Sequence, residues 1–427
     1  MMNVKVFKFG GASVNSAEGV RNVASILERY RGESVMLVVS AMGKTTTALE
    51  NLLQSYLSKD AVTLSERFYQ LKDFHVDIVH ELFSDKEHPV FEALKRLFGQ
   101  LQAFLQLPPA GEYDEVYDQV VSYGELLSSQ ILHHFLVLSG LDVKLFDARQ
   151  LILTDRSFRD ARVDWGKTQL RIQKQLFTWF QSGKGRMGLT QGFIGSEPMG
   201  LTTTLGREGS DFTAAIIGYA LRTKEVTIWK DVPGVLNADP KWFDHPQKLD
   251  KLSYREAIEL AYYGATIIHP KTIKPLENAN IRLRVKSFRD PEAPGTIIEN
   301  LQAWSLPCPV YIRKTNQVLI SISPRDFSFI MEENLSQIFG ILSRHRVRAH
   351  VMQNSAISFS ICTDNDPVRI PPLLTELKHL YTVRFNDAVQ LYTIRHYDQE
   401  AINRITAEKK VLLEQKTRST VHLVLID

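Results

Sequence analysis

The chain of 427 residues carries 51 lysines and arginines against 48 acids, a formal net charge of +3 that gives no basic face for nucleic acid. Its length is too great for one ordinary hydrophobic core, and its two cysteines, Cys308 and Cys362, form neither a disulfide framework nor a metal-ligand spacing. No apolar run approaches membrane-spanning length and the amino terminus runs into a strand without a signal pattern, so a cytoplasmic protein without a membrane partner is expected.

Taken in chain order, Val4 to Phe9 reads as a buried strand carrying Lys8, followed at once by Gly10, Gly11, Ala12 and Ser13. Strand, glycines and helix is the order in which open α/β sheets bind phosphate, with backbone amides free to approach its oxygens. Further strands are expected at Val35 to Ser40, Val143 to Asp147, Gly188 to Phe193, Glu225 to Trp229, Arg282 to Lys286 and Thr296 to Ile298. Between about Ala61 and Leu107 the apolar residues recur at helical spacing, which predicts a helical insertion packed on the sheet. The alternation of strand and helix blocks predicts an α/β fold, a mainly parallel sheet sandwiched by helices.

Pro291, Pro294 and Gly295 close this region, so the domains are expected at 1–304 and 305–427. Beyond the boundary, Val318 to Ser323, a helix from about Met331 to Arg344, Arg348 to Gln353, Ser358 to Thr363 and a helix from about Val368 to Leu380 give a βαββα order. Val389 to Arg395, a charged helix from about Gln399 to Lys416 and Thr420 to Ile426 read as a second, shortened copy. These are small α+β modules.

The most informative stretch runs from Thr202 to Ala215. Thr202, Thr203, Thr204 and Ser210 supply hydroxyls, Gly206 and Gly209 allow close backbone approach, and Arg207 can grip a carboxylate through two parallel hydrogen bonds. Capping residues at Ser210 or Asp211 would start a helix whose unpaired N–H groups face the same loop. This reads as a site for a small acidic ligand. Two better-known phosphate signatures fail on context. Gly43-Lys44-Thr45 lacks the P-loop glycine, because Val38 stands five residues before Gly43. Gly183, Gly185 and Gly188 have dinucleotide-fingerprint spacing, but they follow a helical stretch and precede a strand, the reverse of the required order.

Seven segments follow one another in an order that resembles the aspartate kinases of the amino-acid kinase superfamily: KFGGAS, VVSAMGKTT, VSYGELLSSQIL, QGFIG, TTTLGREGSD, WKDVPGVLNADP and YYGATIIHPKT. The resemblance implies the amino-acid kinase fold and ATP-dependent phosphorylation of the side-chain carboxylate of L-aspartate to 4-phospho-L-aspartate, with Mg²⁺ on the phosphates. That product opens lysine, threonine and methionine synthesis. It also implies the roles. Lys8 would neutralise the transferring phosphoryl group and Asp211 would orient it, with Gly10, Gly11 and Ser13 around the phosphates. Arg207 would clamp the substrate's α-carboxylate and Glu125 would pair with its α-ammonium, while Ser40, Thr46 and Ser210 hydrogen-bond around it. Lys230, Asp231 and Lys241 would lie on the nucleotide side, with Lys230 replacing a lysine that relatives carry where this chain has Thr266. No protein metal-ligand set is implied, and His269 reads as structural. No general base is needed, because the attacking carboxylate is already ionised at neutral pH.

The C-terminal modules resemble tandem ACT regulatory domains, which implies a homodimer or higher homo-oligomer formed through that region. The segment that binds feedback inhibitors in the family corresponds to His350 to Ser358, and Ala356 stands where an acidic residue would hold a lysine side chain.

Overall fold

Strands covered on both faces are buried along their length, and three neighbours at the centre of one sheet are so nearly throughout. They are β1 (Val4–Phe9), β2 (Ser34–Val39) and β4 (Met187–Gln191). The computed structural model describes residues 4–265, 268–301, 306–326 and 328–426. The chain divides into two compact units. One is Met1–Val235 with Lys248–Ile258 and Ile267–Gln302; the other is Leu236–Gln247 with Glu259–Thr266 and Ala303–Asp427.

In the first unit the three strands join β3 (Val143–Phe146), β5 (Glu225–Lys230), β6 (Lys251–Ser253), β7 (Arg282–Ser287) and β8 (Thr296–Glu299). The eight-stranded order is β6-β8-β7-β5-β1-β2-β4-β3, parallel except where β7 meets β8. Because successive side chains alternate faces, Phe7 and Phe9 of β1 and Val35, Leu37 and Val39 of β2 point into one apolar layer. Helices Ala17–Glu28, Thr45–Leu57, Ala61–Leu82, Pro89–Gln106, Tyr113–Val121 and Tyr123–Leu138 complete that layer. The expected helical insertion is the antiparallel pair Ala61–Leu82 and Pro89–Gln106, capped by Asp60 and His88. Opposite Phe7 and Phe9, β1 packs against the Gly209–Leu221 helix.

The second unit carries an antiparallel six-stranded sheet. Its strands are β9 (Val310–Ser323), β10 (Ala349–Asn354), β11 (Phe359–Asp364), β12 (Thr382–Arg395), β13 (Lys410–Lys416) and β14 (Thr420–Ile426), in the order β10-β11-β9-β12-β14-β13. β9 and β12 are longer than the sequence predicts, because each serves both modules. The carboxyl-terminal half of β9 pairs with β11 and the first half of β12, while Val310 to Lys314 pair with Leu391 to Arg395. Left-handed residues Asn316 and Ala388 mark the bend in each strand. One expectation is corrected here: the charged helix does not reach Lys416. It ends at Thr406, where Glu408 adopts a φ of 61°, and Val411 and Leu413 then pair with Leu425 and Val424 in β13. The unit also takes in residues 236–247, since Ala238, Trp242 and Phe243 pack with Tyr311, Tyr392 and Leu423, an association that leaves no local pattern.

Among the described residues no helix is long and apolar enough to cross a membrane.

Candidate active site

Lys8 sits near the carboxyl end of the central strand, only 8% exposed, on the face turned toward the Gly209–Leu221 helix. That helix brings Asp211 in its first turn, and Lys8 Nζ lies 2.7 Å from Asp211 Oδ1. Lys230, the last residue of β5, places its Nζ 3.8 Å from the other oxygen, Oδ2. Burial pushes the Asp211 carboxyl up, but the Lys8 and Lys230 ammonium groups outweigh it and hold it below the ordinary aspartate value. The three groups therefore form a cluster of two cations around one buried anion, the cations at or near the carboxyl ends of adjacent parallel strands, where open α/β sheets bind ligands. Gly10 leaves room above it, for a Cβ there would come within 3.3 Å of Lys8 Nζ.

A cleft of about 450 Å³ opens from this cluster and is lined also by Ser40, Thr46, Glu125, Arg207 and Ser210. Ser40 follows β2, Thr46 lies in the first turn of the Thr45–Leu57 helix, and Glu125 lies in the first turn of the Tyr123–Leu138 helix. Glu125 is 3% exposed; its Oε1 accepts the Ala41 N–H at 3.1 Å, whereas Oε2 is buried with no partner among the described residues. Burial drives its carboxyl up to about 8. Arg207 is exposed and makes no ion pair among the described residues.

The Gly209–Leu221 helix begins one residue earlier than the sequence suggests, and Ser210 and Asp211 do not cap it. Glu208, in the left-handed conformation with φ 54°, stands at the cap position without a side-chain cap; its carbonyl takes the Asp211 and Phe212 N–H groups at 3.0 and 3.2 Å. Ser210 and Asp211 are thereby left to face the cleft. The helix can approach the loop after β4 because residue 192 is glycine: a Cβ there would lie 2.4 Å from Ser210 Cβ.

The remaining candidate residues fall outside the cleft lining. Gly10, Gly11 and Ser13 belong to the turn after β1, and Ser13 Oγ is buried without a partner among the described residues. Gly11 has a packing duty as well, its carbonyl taking the Gly43 N–H at 3.0 Å. Asp231 is exposed just beyond β5. Lys241 lies in the second unit, exposed, with its N–H on Asp239 Oδ1 at 2.9 Å. Thr266 lies outside the described residues. His269 is structural, accepting the Lys271 N–H to cap the Pro270–Asn278 helix.

Four cleft residues escape sequence reasoning: Tyr117, Arg159, Phe193 and Glu208. Arg159 has a φ of 65°, a conformation that costs a non-glycine residue about 1 kcal/mol. It is held there by Asp118, fully buried, whose two oxygens take the Arg159 N–H at 3.1 and 3.0 Å and the Thr204 hydroxyl and N–H at 2.7 Å each. Burial still raises the Asp118 carboxyl to about 6. No local pattern announces such a residue, although Phe193 stands inside the QGFIG segment.

The model of the amino acid kinase family matches residues 3–287, and the chain belongs to that family. Aspartokinases are among its relatives. The chain is 33% identical over 366 residues to the chloroplastic bifunctional aspartokinase/homoserine dehydrogenase 2 of Arabidopsis thaliana, covering 84% of this chain and 39% of the relative. It spans two-fifths or less of the length of the first curated relatives it matches. Its fold superposes on aspartokinase III of E. coli in complex with lysine and aspartate, with a TM-score of 0.82 and 26% identity, covering 99% of this chain and 96% of that one. The complex of the same enzyme with aspartate and ADP gives a TM-score of 0.80 at 26% identity and the same coverage.

Proposed function

We propose that the chain is an aspartate kinase, transferring the γ-phosphoryl group of ATP to the side-chain carboxylate of L-aspartate and forming 4-phospho-L-aspartate for lysine, threonine and methionine synthesis. The observation that carries this reading is the buried, half-unsatisfied carboxylate of Glu125 in one cleft with the exposed guanidinium of Arg207 and the Lys8–Asp211–Lys230 cluster. An α-amino acid with an acidic side chain needs this set: one anion for its ammonium, one fork for its α-carboxylate, and cations where phosphate charge develops.

The residues present fit ATP. Lys8 and Lys230 supply positive charge toward the phosphates, and the unpartnered hydroxyl of Ser13, in the turn with Gly10 and Gly11, supplies a further donor. Mg²⁺ would neutralise phosphate charge. Among the described residues no group of three or more His, Cys, Asp or Glu could hold it, so the phosphates would carry most of its coordination. Asp211 fixes Lys8 and Lys230 side by side. Arg207 and Glu125 orient the substrate so that its ionised side-chain carboxylate meets the γ-phosphorus in line, with Ser40, Thr46 and Ser210 as hydroxyl partners. Positioning and electrostatics carry the rate. Asp231 and Lys241 would contribute on the nucleotide side as the resemblance implies.

The six-stranded sheet supports assembly of two or more copies, since its edge strands β10 and β13 leave backbone groups open to pairing. A cytoplasmic location accords with the two free cysteines, Cys308 and Cys362.

Incubation with MgATP, hydroxylamine and one candidate acceptor at a time tests the reading, because an acyl phosphate is trapped as a hydroxamate. L-Aspartate is expected to give it, and N-acetylglutamate and UMP are not. Hydroxamate from N-acetylglutamate alone, or from no acceptor, would overturn the assignment.

A further inference from the structure

Arg159 is neither chosen for its backbone nor tied down by its ion pair. Its left-handed conformation is the one a glycine adopts without strain, yet an arginine occupies it. The side chain leaves that point along the wall of the cleft, its guanidinium 4.6 Å from the ring centre of Tyr117 and 5.4 Å from that of Tyr113. Tyr117 is itself fixed, its hydroxyl donating to Glu50 at 2.7 Å. The guanidinium is thus held beside two tyrosine rings in the lining of the cleft. Its carboxylate partner among the described residues, Asp114, lies 3.1 Å away with both side chains about half exposed, a surface pair that contributes little and yields readily to a better anion.

The loop carrying Arg159 lies against the turn carrying Arg207. A Cβ added at Gly206 would stand 2.4 Å from Asp160 Oδ1 and 3.3 Å from the Arg159 carbonyl, and the Ala161 N–H donates to Thr204 at 2.9 Å. Two guanidinium-bearing turns therefore converge on the acceptor end of one cleft, and Asp118 ties both of them down.

Resting on the acceptor assignment made above, we propose that Arg159 is a second arginine for the substrate's α-carboxylate, moving from Asp114 to the bound amino acid and so setting the preference for an acceptor with a free α-carboxylate. Arg207 then grips one edge of that carboxylate and Arg159 the other. Asp118 acts as a positioning residue, holding the loop from which Arg159 reaches.

Steady-state kinetics of Arg159→Gly, beside Arg207→Ala and the unaltered chain, test this with L-aspartate and its α-amide as acceptors. Glycine suits the backbone, so the variant should fold and melt no lower than the parent. Expected are a KM for aspartate raised about tenfold, a KM for ATP within about twofold, and a kcat/KM for the α-amide unchanged from the parent. An unaltered KM for aspartate in Arg159→Gly, with Arg207→Ala impaired, overturns the role of Arg159 and leaves the acceptor site standing. An unaltered KM in both variants overturns the acceptor site as well. An equal loss on aspartate and its α-amide also overturns the proposal, because Arg159 would then act on something other than the α-carboxylate.

Discussion

The two ends of the cleft bury a carboxylate each, and they treat it in opposite ways. At the phosphate end Asp211 lies between Lys8 and Lys230 and is held ionised, below its ordinary value. At the acceptor end Glu125 has one backbone N–H and an unpartnered oxygen, and burial keeps it protonated until about pH 8. The first end is complete before any ligand arrives, as preorganised electrostatic catalysis requires. The second is left short of a cation, which the ammonium of the proposed substrate would supply. On the proposed function, rate would reside at one end and recognition at the other.

The largest effect expected from breaking this division is at Lys8. Lys8→Met should lower kcat by at least about 10²-fold, since one charge aimed at a developing oxyanion is typically worth about 3 kcal/mol, while the KM for aspartate changes little. Steady-state kinetics with a thermal melt read both. A kcat above half that of the parent would remove Lys8 from the chemistry.

A second effect, on stability and not on rate, is expected for Glu125→Gln. A carboxyl whose folded value is raised from 4.5 to about 8 leaves the folded state binding more protons than the unfolded one over that interval. The stabilisation from the neutral form is complete below about pH 4.5 and is lost as the pH rises to about 8. Glutamine stays neutral, so the variant should match the parent near pH 4.5 and exceed it at pH 8.5 by roughly 4 to 5 kcal/mol. Urea unfolding at the two values measures this. A constant difference between parent and variant across the range would mean that Glu125 is not buried as described.

The reading of the sequence succeeded where burial leaves a linear trace. β1, β2 and β4 are rich in apolar residues because both faces are covered, and Lys8 is legible as a charge near the end of such a strand, whereas Lys230 is singled out only by the resemblance. Arg159 was invisible for the opposite reason. Its conformation is imposed by Asp118, 41 positions away, and nothing near residue 159 distinguishes it from a surface arginine. The same holds for the half of β9 from Val310 to Lys314, whose pairing partners lie beyond residue 390. Lys410–Lys416 reads as helix in the sequence because its charges continue the pattern of the preceding helix, and only the pairing with β14 shows a strand.

The division between the two ends is tested most directly by calorimetric titration of L-aspartate into the protein in buffers of different ionisation enthalpy, at pH 7 and at pH 9.5. Bringing an ammonium to Glu125 should ionise it, so close to one proton is released per aspartate bound at pH 7, where the free protein holds Glu125 neutral. Almost none should be released at pH 9.5, nor by Glu125→Gln at either value. Binding at pH 7 with no proton released would mean that Glu125 is already ionised in the free protein or does not meet the ammonium, and either result contradicts this account.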